Sequence, residues 1–337
     1  MRRKFAFAFI VLALFVVPGL SLPAFATSYR TWVSGTGSDS SNNCSSQATP
    51  CQTLGWAIAQ TSSGGTIHVL PGDYVSFIID RSVEIIADQG GATISEGSKP
   101  PGASYYAGIY VKAGTIDVVR IRGLTINESG NDIPGIVFVS GAALHIENCT
   151  LLGTVSDAGP AALYFAPTIA ADSGAPTELS VRNSTIGPNL GTGGFNAGGA
   201  SIAPSNGVAV EALFDNVHMV EGLYGIRADT SAGSGLIGVD VRNSVAKGNS
   251  NNGYLAVGTG VNPVHFMIDH STAENNGVYG AVATGSQAFM IVTNSTLMRN
   301  GTGLAQLSGS TVASTGTNTI NFNTTNTSGT ITPITGK

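Results

Sequence analysis

Charged residues are scarce in this chain of 337 residues: Asp, Glu, Lys and Arg make up 10% of it, and the formal net charge is -5. It contains no basic run that would attract nucleic acid, so we expect no nucleic-acid partner. Aromatic residues are also few, at 7%, yet hydrophobic residues reach 42%, which is too high for a disordered chain. The 45 glycines follow no triplet period, which excludes a collagen-like protein. The composition is that of a globular chain that can bury a large core.

Cysteine and histidine are rare as well, with 3 and 5 residues. Their spacing shows no pairs of the kind that hold structural zinc, so we expect no metal site. Cys44 and Cys51 lie in a loop rich in Ser, Asn and Pro, and we predict a disulfide between them. Cys149 falls in a repeated strand pattern that turns its side chain inward, which predicts a buried thiol with no catalytic role.

The chain has one long apolar run, and it lies at the amino terminus. Residues 5–17 are apolar, follow the basic residues 2–4 and precede Ala24-Phe25-Ala26. This order is typical of a signal peptide, so we predict cleavage after Ala26 and a secreted, extracellular or periplasmic protein. A membrane anchor is the alternative, but the run is too short for a bilayer core of about 30 Å. We therefore expect no membrane contact after cleavage.

One six-residue motif recurs along the chain, and its successive copies lie 24 to 35 residues apart. The six positions of each copy are, in order, apolar, charged, bend-forming, small, mostly Thr, and apolar. This pattern predicts two short strands that meet at a bend. A third short strand, often opened by Gly, follows each copy. The spacing leaves no room for a crossover helix, which favours a coil of parallel strands with three strands per turn. An antiparallel sandwich is the alternative, but it would not repeat one motif in register. The copies begin at Ile121, Ile146, Val181, Phe214, Val241, Ile268 and Val292.

Stacking the coils places equivalent residues in columns with a step of about 4.8 Å. The first, apolar column of the motif must face the core. The bend column holds Gly123, His270 and otherwise Asn, whose amides we expect to bond to one another between coils. The column before the bend alternates in sign, which we interpret as an outward ladder of opposite charges that fixes the register. A stripe that binds a polymer is the alternative interpretation of this column. The charged members of the column before the bend are Arg122, Glu147, Arg182, Asp215, Arg242 and Asp269.

The amino-terminal part of the mature chain predicts a cap. Leu54, Ala57 and Ile58 recur at helical spacing after Thr53, which suits the N-cap position, so we expect a short helix that closes the open end of the coil. We divide the mature chain, residues 27–337, into a cap (27–62), coils (63–323) and a tail (324–337). The tail is rich in Thr, Asn and Gly and either forms the last coil or frays.

Three features of the sequence resemble secreted right-handed parallel β-helix proteins of the pectate lyase-like superfamily. They are the opening Gly-Thr-Gly-Ser-Asp at 35–39 with Pro50-Cys51 before the helix, the first-coil pattern Gly-Thr-Ile-x-Val-x-Pro-Gly-x-Tyr at 65–74, and the Asn-Ser-Thr coils. The resemblance covers nearly all of residues 29–323. It implies an all-β fold, a single-stranded right-handed parallel β-helix with an N-terminal capping helix. It also implies contact with carbohydrate polymers, because family enzymes cleave polysaccharides by a calcium-dependent lyase reaction or by hydrolysis with paired carboxylates.

The catalytic patterns of that superfamily are incomplete here. Asp-Asp, Asn-Thr-Asp, Gly-His-Gly and Arg-Ile-Lys, which mark the hydrolases, are absent. Residues 267–270, Met-Ile-Asp-His, resemble a pectate lyase motif but fall within the repeat, so we interpret them as structural. The acidic residues are single and dispersed, which does not support a calcium site, and we expect no cofactor. Whether the protein is a polysaccharide lyase, a hydrolase or no enzyme stays open.

The two longest insertions, 167–176 and 187–199, flank the strand face on which the resemblance places glycans. On that face we predict a substrate-binding site of Tyr164, Arg227 and Asp229, in a monomer. The tyrosine offers a flat apolar surface, and the two charged groups can bond hydroxyls or a uronate carboxylate. A solvated surface with a local ion pair is the alternative, and a non-catalytic cell-surface or extracellular interaction or structural protein is the alternative function. The outward residues of this face are predicted to be Val137, Tyr164, Ala203, Arg227, Asp229 and Val282.

Overall fold

A computed structural model describes residues 27–95, 97, 99, 102–128, 133–152, 161–172, 174–188 and 198–334. The predicted signal peptide and most of the 187–199 insertion lie outside these residues. No helix in the described ranges has the length and apolar character needed to cross a membrane. The elements in the first half are β1 (Ser28–Val33), α1 (Leu54–Gln60), β2 (Thr61–Val69), β3 (Gly72–Tyr74), β4 (Phe77–Ile79), β5 (Val83–Ile86), β6 (Ala92–Ile94), β7 (Ile109–Lys112), β8 (Val118–Arg122), β9 (Thr125–Asn127), β10 (Ile136–Ser140), β11 (Ala143–Glu147), β12 (Thr150–Leu152), β13 (Ala161–Phe165) and β14 (Thr177–Ile186). Those in the second half are β15 (Gly198–Ile202), β16 (Val210–Val220), β17 (Tyr224–Asp229), β18 (Ile237–Arg242), β19 (Val245–Lys247), β20 (Asn252–Val257), β21 (Val264–Asp269), β22 (Thr272–Glu274), β23 (Tyr279–Thr284), β24 (Ala288–Thr293), β25 (Thr296–Met298), β26 (Thr302–Leu307), β27 (Thr311–Thr315), β28 (Thr319–Asn321), β29 (Thr325–Ser328) and β30 (Ile331–Ile334).

The strands stack in parallel, coil upon coil. In the described part of the chain they form one sheet of 20 strands and one of 10 strands. The larger sheet contains the strands on both sides of each bend, and β14 and β16 run through their bends without a break. The smaller sheet contains the third strand of each coil, from β4 to β29. The predicted parallel β-helix with three strands per coil is therefore confirmed.

The repeat sets the register of the coils. The apolar column predicted to face the core pairs residue for residue, as in Ile146 with Ile121 and Phe214 with Val241. Its seven members, from Ile121 to Val292, are each 0–1% exposed. Their burial supplies much of the hydrophobic stabilisation of the fold, because apolar area removed from water contributes about 25 cal/mol per Å².

The bend column adopts the left-handed backbone conformation. Gly123 has φ 74°, the five Asn residues of the column have φ between 48° and 55°, and His270 has φ 46°. Asn and Gly are the residues that reach this conformation at least cost. The predicted role of the column as a bend is therefore confirmed, and His270 belongs to it as expected.

A substitution at Asn148 tests the conformational cost of the bend. Asn148→Ala is expected to lower the free energy of unfolding by about 1 kcal/mol, because alanine resists the φ of 53° found there. Asn148→Gly is expected to change the free energy of unfolding by about 0.5 kcal/mol or less. Urea unfolding of the two variants measures the difference, and equal losses for both would contradict the bend assignment.

The amide ladder predicted for the bend column forms only in part. Asn216 donates to Asn183 at 2.9 Å, but other bend amides donate to a carboxylate on the coil before, as Asn243 does to Asp215 at 3.0 Å. These side chains are exposed, so they satisfy no buried group. The buried amide ladder lies six residues further along each coil, in a column that the sequence analysis did not single out. It consists of the buried Asn249, Asn276 and Asn300 and ends at Asn323, which is partly exposed.

The alternating charges also lie in register, as in the pairing of Glu147 with Arg122 and with Arg182. Arg122 Nε lies 3.2 Å from Glu147 Oε2, which is a direct pair between coils. Arg242 instead pairs with Asp240 on its own strand, at 2.8 Å. The charges thus lie in register, but they contribute little stability through ion pairs, because exposed pairs are worth about 0–1 kcal/mol each.

The amino-terminal end is closed as predicted. Helix α1 begins after Thr53, whose side chain accepts a hydrogen bond from the backbone N–H of Trp56, and it buries Leu54, Ala57 and Ile58. Cys44 and Cys51 form the predicted disulfide. The helix therefore covers the apolar layer that the first coil would otherwise expose.

Two other sequence expectations concern Cys149 and the tail. Cys149 is buried, and burial raises the pKa of its thiol to about 11, so the thiol is protonated at neutral pH and is a poor nucleophile. The tail forms the last coil through residue 334, because β29 pairs with β26 and β30 pairs with β27. The stacked strands thus extend beyond the expected end at residue 323.

Candidate functional site

The structure brings the three predicted site residues onto one face of the ten-stranded sheet. Tyr164 pairs with Ser201, which pairs with Arg227 on the next coil. Asp229 lies two residues beyond Arg227 on β17, so both side chains point to the same side of the strand. Two steps of about 4.8 Å separate the tyrosine from the arginine. The position between them belongs to Ser201, and Ala203, predicted to face outward, follows two residues later and is partly exposed.

Arg227 and Asp229 form an ion pair in which Nη2 donates to Oδ2. The side chain of Asp229 is 7% exposed, and its Oδ1 accepts a hydrogen bond from the backbone N–H of Ser231 at 2.8 Å. Both carboxylate oxygens are therefore occupied, and Asp229 serves to orient the guanidinium. The side chain of Arg227 is 38% exposed, and its Nε is buried with no hydrogen-bond partner in the described part of the chain. The local ion pair that belonged to the alternative interpretation, a solvated surface, is therefore present, and the arginine is its more exposed member.

Tyr164 is half-buried against another tyrosine that the sequence analysis did not single out. Its ring meets the ring of Tyr105 edge to face, with centroids 6.1 Å apart. Burial raises the pKa of Tyr164, the neighbouring Tyr105 raises it further, and Arg227 opposes the rise. Tyr105 and Tyr106 are 46% and 57% exposed, so they extend the aromatic surface into solvent. The sequence signal that could have indicated this aromatic surface is the adjacent pair Tyr105-Tyr106 in a chain poor in aromatics.

The loop that carries these tyrosines also covers part of the sheet face that we predicted to be exposed. Ala103 and Ala107 pack on Tyr110 and Val137 in a separate apolar cluster on the outer side of the sheet. Val137, predicted to face outward, is consequently 0% exposed, and Val282, predicted likewise, is 1% exposed. The outer face of the sheet is therefore covered at some coils, while Tyr164 and Arg227 are partly exposed.

Tyr224 is a buried residue that supports this surface. It is 4% exposed, and burial raises its pKa to about 12, while a hydrogen bond with the Ser201 side chain opposes the rise. Its ring lies over Gly198, where an added Cβ would come within 2.1 Å of the ring. The phenol is thus neutral at physiological pH and holds the Ser201 hydroxyl in place. We name the set Tyr105, Tyr164 and Arg227 the tyrosine–arginine surface; Ser201, between the last two, is only 3% exposed.

A second concave surface lies on the larger sheet. It is a groove of about 730 Å³ formed by outward side chains of consecutive coils from β5 to β18. Arg122 stands in it between Glu84, at 3.8 Å, and Glu147, at 3.2 Å. The charge ladder that the sequence analysis interpreted as a register device therefore also forms part of the wall of this groove.

Glu211 gives the groove a pH dependence that can be measured. Its carboxylate lies over Gly238, where an added Cβ would come within 2.2 Å of Oε2, and its in-register neighbour is Glu178. Burial raises the pKa of Glu211, Asp240 raises it further, and His265 opposes the rise. A carboxyl whose pKa is higher in the folded than in the unfolded state destabilises the fold as the pH rises above its ordinary pKa, here 4.5.

We therefore expect Glu211→Gln to raise the free energy of unfolding at pH 7, by less than about 1 kcal/mol because this carboxylate is largely exposed and screened. The gain is expected to disappear as the pH falls below the ordinary pKa of a glutamate, where the wild-type carboxyl is protonated in both states. Urea unfolding at pH 7 and pH 3.5 measures both values. A gain of equal size at the two pH values would contradict the electrostatic origin.

The described residues contain no group of three or more His, Cys, Asp or Glu side chains arranged to hold a metal ion. Residues 267–270 follow the repeat, with Asp269 in the charge column and His270 in the bend. His270 Nδ1 lies 2.9 Å from Asp269 Oδ1, so this pair is a local contact at the bend.

No protein-family model matches the chain, and no curated protein matches it. Two solved structures are similar to it. Pectate lyase Pel9A has a TM-score of 0.57 and 17% identity, covering 85% of this chain and 78% of that chain. A rhamnogalacturonan lyase has a TM-score of 0.52 and 14% identity, covering 84% of this chain and 75% of that chain. The fold is a pectate lyase-like β-helix. At these identities the likeness establishes the fold alone, so the activity of this chain has to be argued from its own residues.

Proposed function

We propose that this protein binds acidic polysaccharide outside the cell, at the tyrosine–arginine surface. The observation that carries the proposal is the ion pair of Arg227 with buried Asp229, because it fixes a partly exposed guanidinium next to an aromatic surface. A fixed guanidinium suits bidentate bonding to a uronate carboxylate, and a tyrosine ring offers a sugar an apolar face with a polar edge.

Two further findings support the proposal. The two similar structures are named as lyases of pectate and of rhamnogalacturonan. The signal-like amino terminus and the disulfide fit an oxidising, extracellular environment. Since no catalytic group is assigned, the proposal is binding, and any cleavage of the polymer would be an additional activity.

The test is a binding panel with matched acidic and neutral polymers. Polygalacturonate, rhamnogalacturonan, xylan and a neutral glucan are tested against the purified protein by affinity electrophoresis, with and without calcium. Released reducing ends and ultraviolet absorbance of unsaturated uronides are followed in the same samples to detect cleavage. We expect retardation by the acidic polymers. Retardation by none of them, or by the neutral polymers equally, would overturn the proposal.

A further inference from the structure

A small cavity lies at the amino-terminal end of the larger sheet, next to the cap. It measures about 260 Å³ and shares no residue with the groove or with the tyrosine–arginine surface. Its wall includes the stacked rings of Trp32 on β1 and His68 on β2, which are in-register neighbours with centroids 5.5 Å apart. We name it the tryptophan cavity. Its wall also includes Arg30, Gln47, Leu70, Ile86, Asp88 and Gln89.

The disulfide loop of the cap holds Gln47 beside this tryptophan. The backbone N–H of Trp32 donates to the carbonyl oxygen of Cys44 at 2.9 Å, and the backbone N–H of Cys51 donates to the carbonyl oxygen of Trp32 at 3.0 Å. These bonds anchor both ends of the loop to the edge of β1 that faces away from β2, and the disulfide closes the loop. The cavity is therefore built by the first coils and the cap together.

The two tryptophans of the chain differ in how their indole N–H groups are used. Trp56 packs against the core and donates from Nε1 to the carbonyl oxygen of Asn42 at 2.8 Å. Trp32 is partly exposed, and its Nε1 has no hydrogen-bond partner among the described residues. A tryptophan that lines a cavity thus offers a ligand both an aromatic ring and a donor.

The other polar side chains of the cavity also have bonding capacity to spare. In the part of the chain that the structure describes, the side chains of Arg30, Gln47 and Gln89 form no hydrogen bond or ion pair. Asp88 uses Oδ2 to pair with His68 Nδ1 at 3.2 Å, which leaves its Oδ1 as an acceptor. Donors and acceptors therefore converge on one cavity, because each glutamine amide supplies both.

The charges of the cavity cancel, so they favour neither an anion nor a cation. Its one arginine, Arg30, is matched by its one carboxylate, Asp88. Leu70 and Ile86 are partly exposed and add apolar surface beside the indole. A neutral sugar presents the complementary mixture, since its hydroxyls both donate and accept hydrogen bonds and its C–H groups pack against an aromatic or apolar surface.

We propose that the tryptophan cavity binds one neutral sugar unit, at the end or on a branch of a glycan. A volume of about 260 Å³ lies just below the range of roughly 300–1,000 Å³ for drug-sized ligands, which suits one sugar unit better than a stretch of polymer. The sugar hydroxyls bond the amides of Gln47 and Gln89 and the Nε1–H of Trp32. This site differs from the proposed function in its residues, its place in the fold and the charge of its ligand.

The experiment follows the indole N–H resonances of the whole, isotope-labelled protein by NMR. The chain has 2 tryptophans, and Trp32→Phe identifies the resonance of Trp32. Oligosaccharides of glucose, mannose, xylose and galactose are titrated separately, and oligogalacturonate is the charged counterpart of the galactose oligosaccharide. We expect a saturable shift of the Trp32 resonance with at least one neutral oligosaccharide and no shift of the Trp56 resonance. No shift of Trp32 with any of them, or tighter binding of oligogalacturonate than of the neutral oligosaccharides, would overturn the inference.

Exposed glutamines provide matched variants that keep the fold intact. Gln47→Ala and Gln89→Ala are each expected to weaken the Trp32 titration about two- to tenfold, the usual effect of losing a hydrogen bond. Gln52 is also exposed but does not line the cavity, so Gln52→Ala is expected to leave the titration unchanged. Equal effects of all three variants, or no effect of any, would contradict a site at this cavity.

The two proposals can fail separately. Arg227→Gln is expected to leave the Trp32 titration unchanged, and Gln47→Ala is expected to leave the binding of oligogalacturonate unchanged. Repeating the polymer panel with Gln47→Ala removes the contribution of the tryptophan cavity from any retardation by a neutral glucan. Arg227-dependent binding of acidic polymers without a Trp32 shift overturns this inference alone. A Trp32 titration in a protein whose acidic binding ignores Arg227 overturns the proposed function alone.

Discussion

Replacing Asn276 with alanine is expected to lower the free energy of unfolding by about 3 kcal/mol, because several buried polar groups lose their partners at once. Asn276 is 1% exposed. Its Oδ1 accepts from the side chain and backbone N–H of Asn249, and its Nδ2 donates to Ala246 and to Asn300. Each of these groups lies where water cannot replace the lost bond. Urea unfolding followed by circular dichroism measures the loss.

The matched control is an exposed asparagine in the same chain. Asn321 is exposed on β28, and its side chain accepts one hydrogen bond from the following backbone N–H. Asn321→Ala is expected to change the free energy of unfolding by about 0.5 kcal/mol or less. If Asn276→Ala cost no more than this control, the buried amide ladder would not be a main support of the coils.

Replacing Arg227 with glutamine is expected to weaken the binding of an acidic oligosaccharide by about 10- to 100-fold, because a hydrogen bond to a charged group contributes about 1.5–3 kcal/mol. The substitution also leaves Asp229 buried without its counter-charge, so the unfolding midpoint of the variant has to be checked alongside its affinity. Isothermal titration calorimetry with an oligogalacturonate measures the dissociation constant.

Arg299→Gln is the control for this prediction. Arg299 is also paired with a carboxylate, that of Glu274, and its side chain is 59% exposed, but it lies beyond the bend of another coil. Its replacement removes the same charge from the protein while leaving the tyrosine–arginine surface intact. An equal loss of affinity in both variants would show that binding depends on overall charge and would contradict a site at Arg227.

Much of the fold could be predicted because the repeat constrains it. One motif fixes which side chain enters the core, which residue adopts the left-handed conformation and which residues are neighbours between coils, so Val181 and Asn183 could be placed from the sequence. The capping helix was predictable from local signals, namely Thr53 and the apolar spacing that follows it. These are short-range or periodic properties, and the periodicity multiplies each of them over many coils.

The details of the candidate site were harder to predict because they depend on contacts between non-equivalent segments. Val137 follows the outward periodicity, but the loop of Ala103 and Ala107 covers it, and nothing in the repeat indicates where that loop packs. Tyr105 joins Tyr164 through the same loop. Ser201, in register with Tyr164 and Arg227, was not singled out because the long insertion before β15 obscured the alignment of that coil.

The buried amide ladder is a different case, since its sequence signal was present. Asn249, Asn276 and Asn300 each lie six residues after the bend of their coil, as regularly as the bend residues themselves. What the sequence did not reveal is which of the two asparagine columns points inward. That depends on the path of the chain from the short strand after the bend to the ten-stranded sheet, and a periodic pattern alone does not determine it.

A crystal structure of the protein with a bound oligogalacturonate would show where an acidic glycan binds. We expect a uronate carboxylate within hydrogen-bond distance of the Arg227 guanidinium and a sugar ring in contact with Tyr164. A well-ordered oligosaccharide that touches neither residue would contradict it.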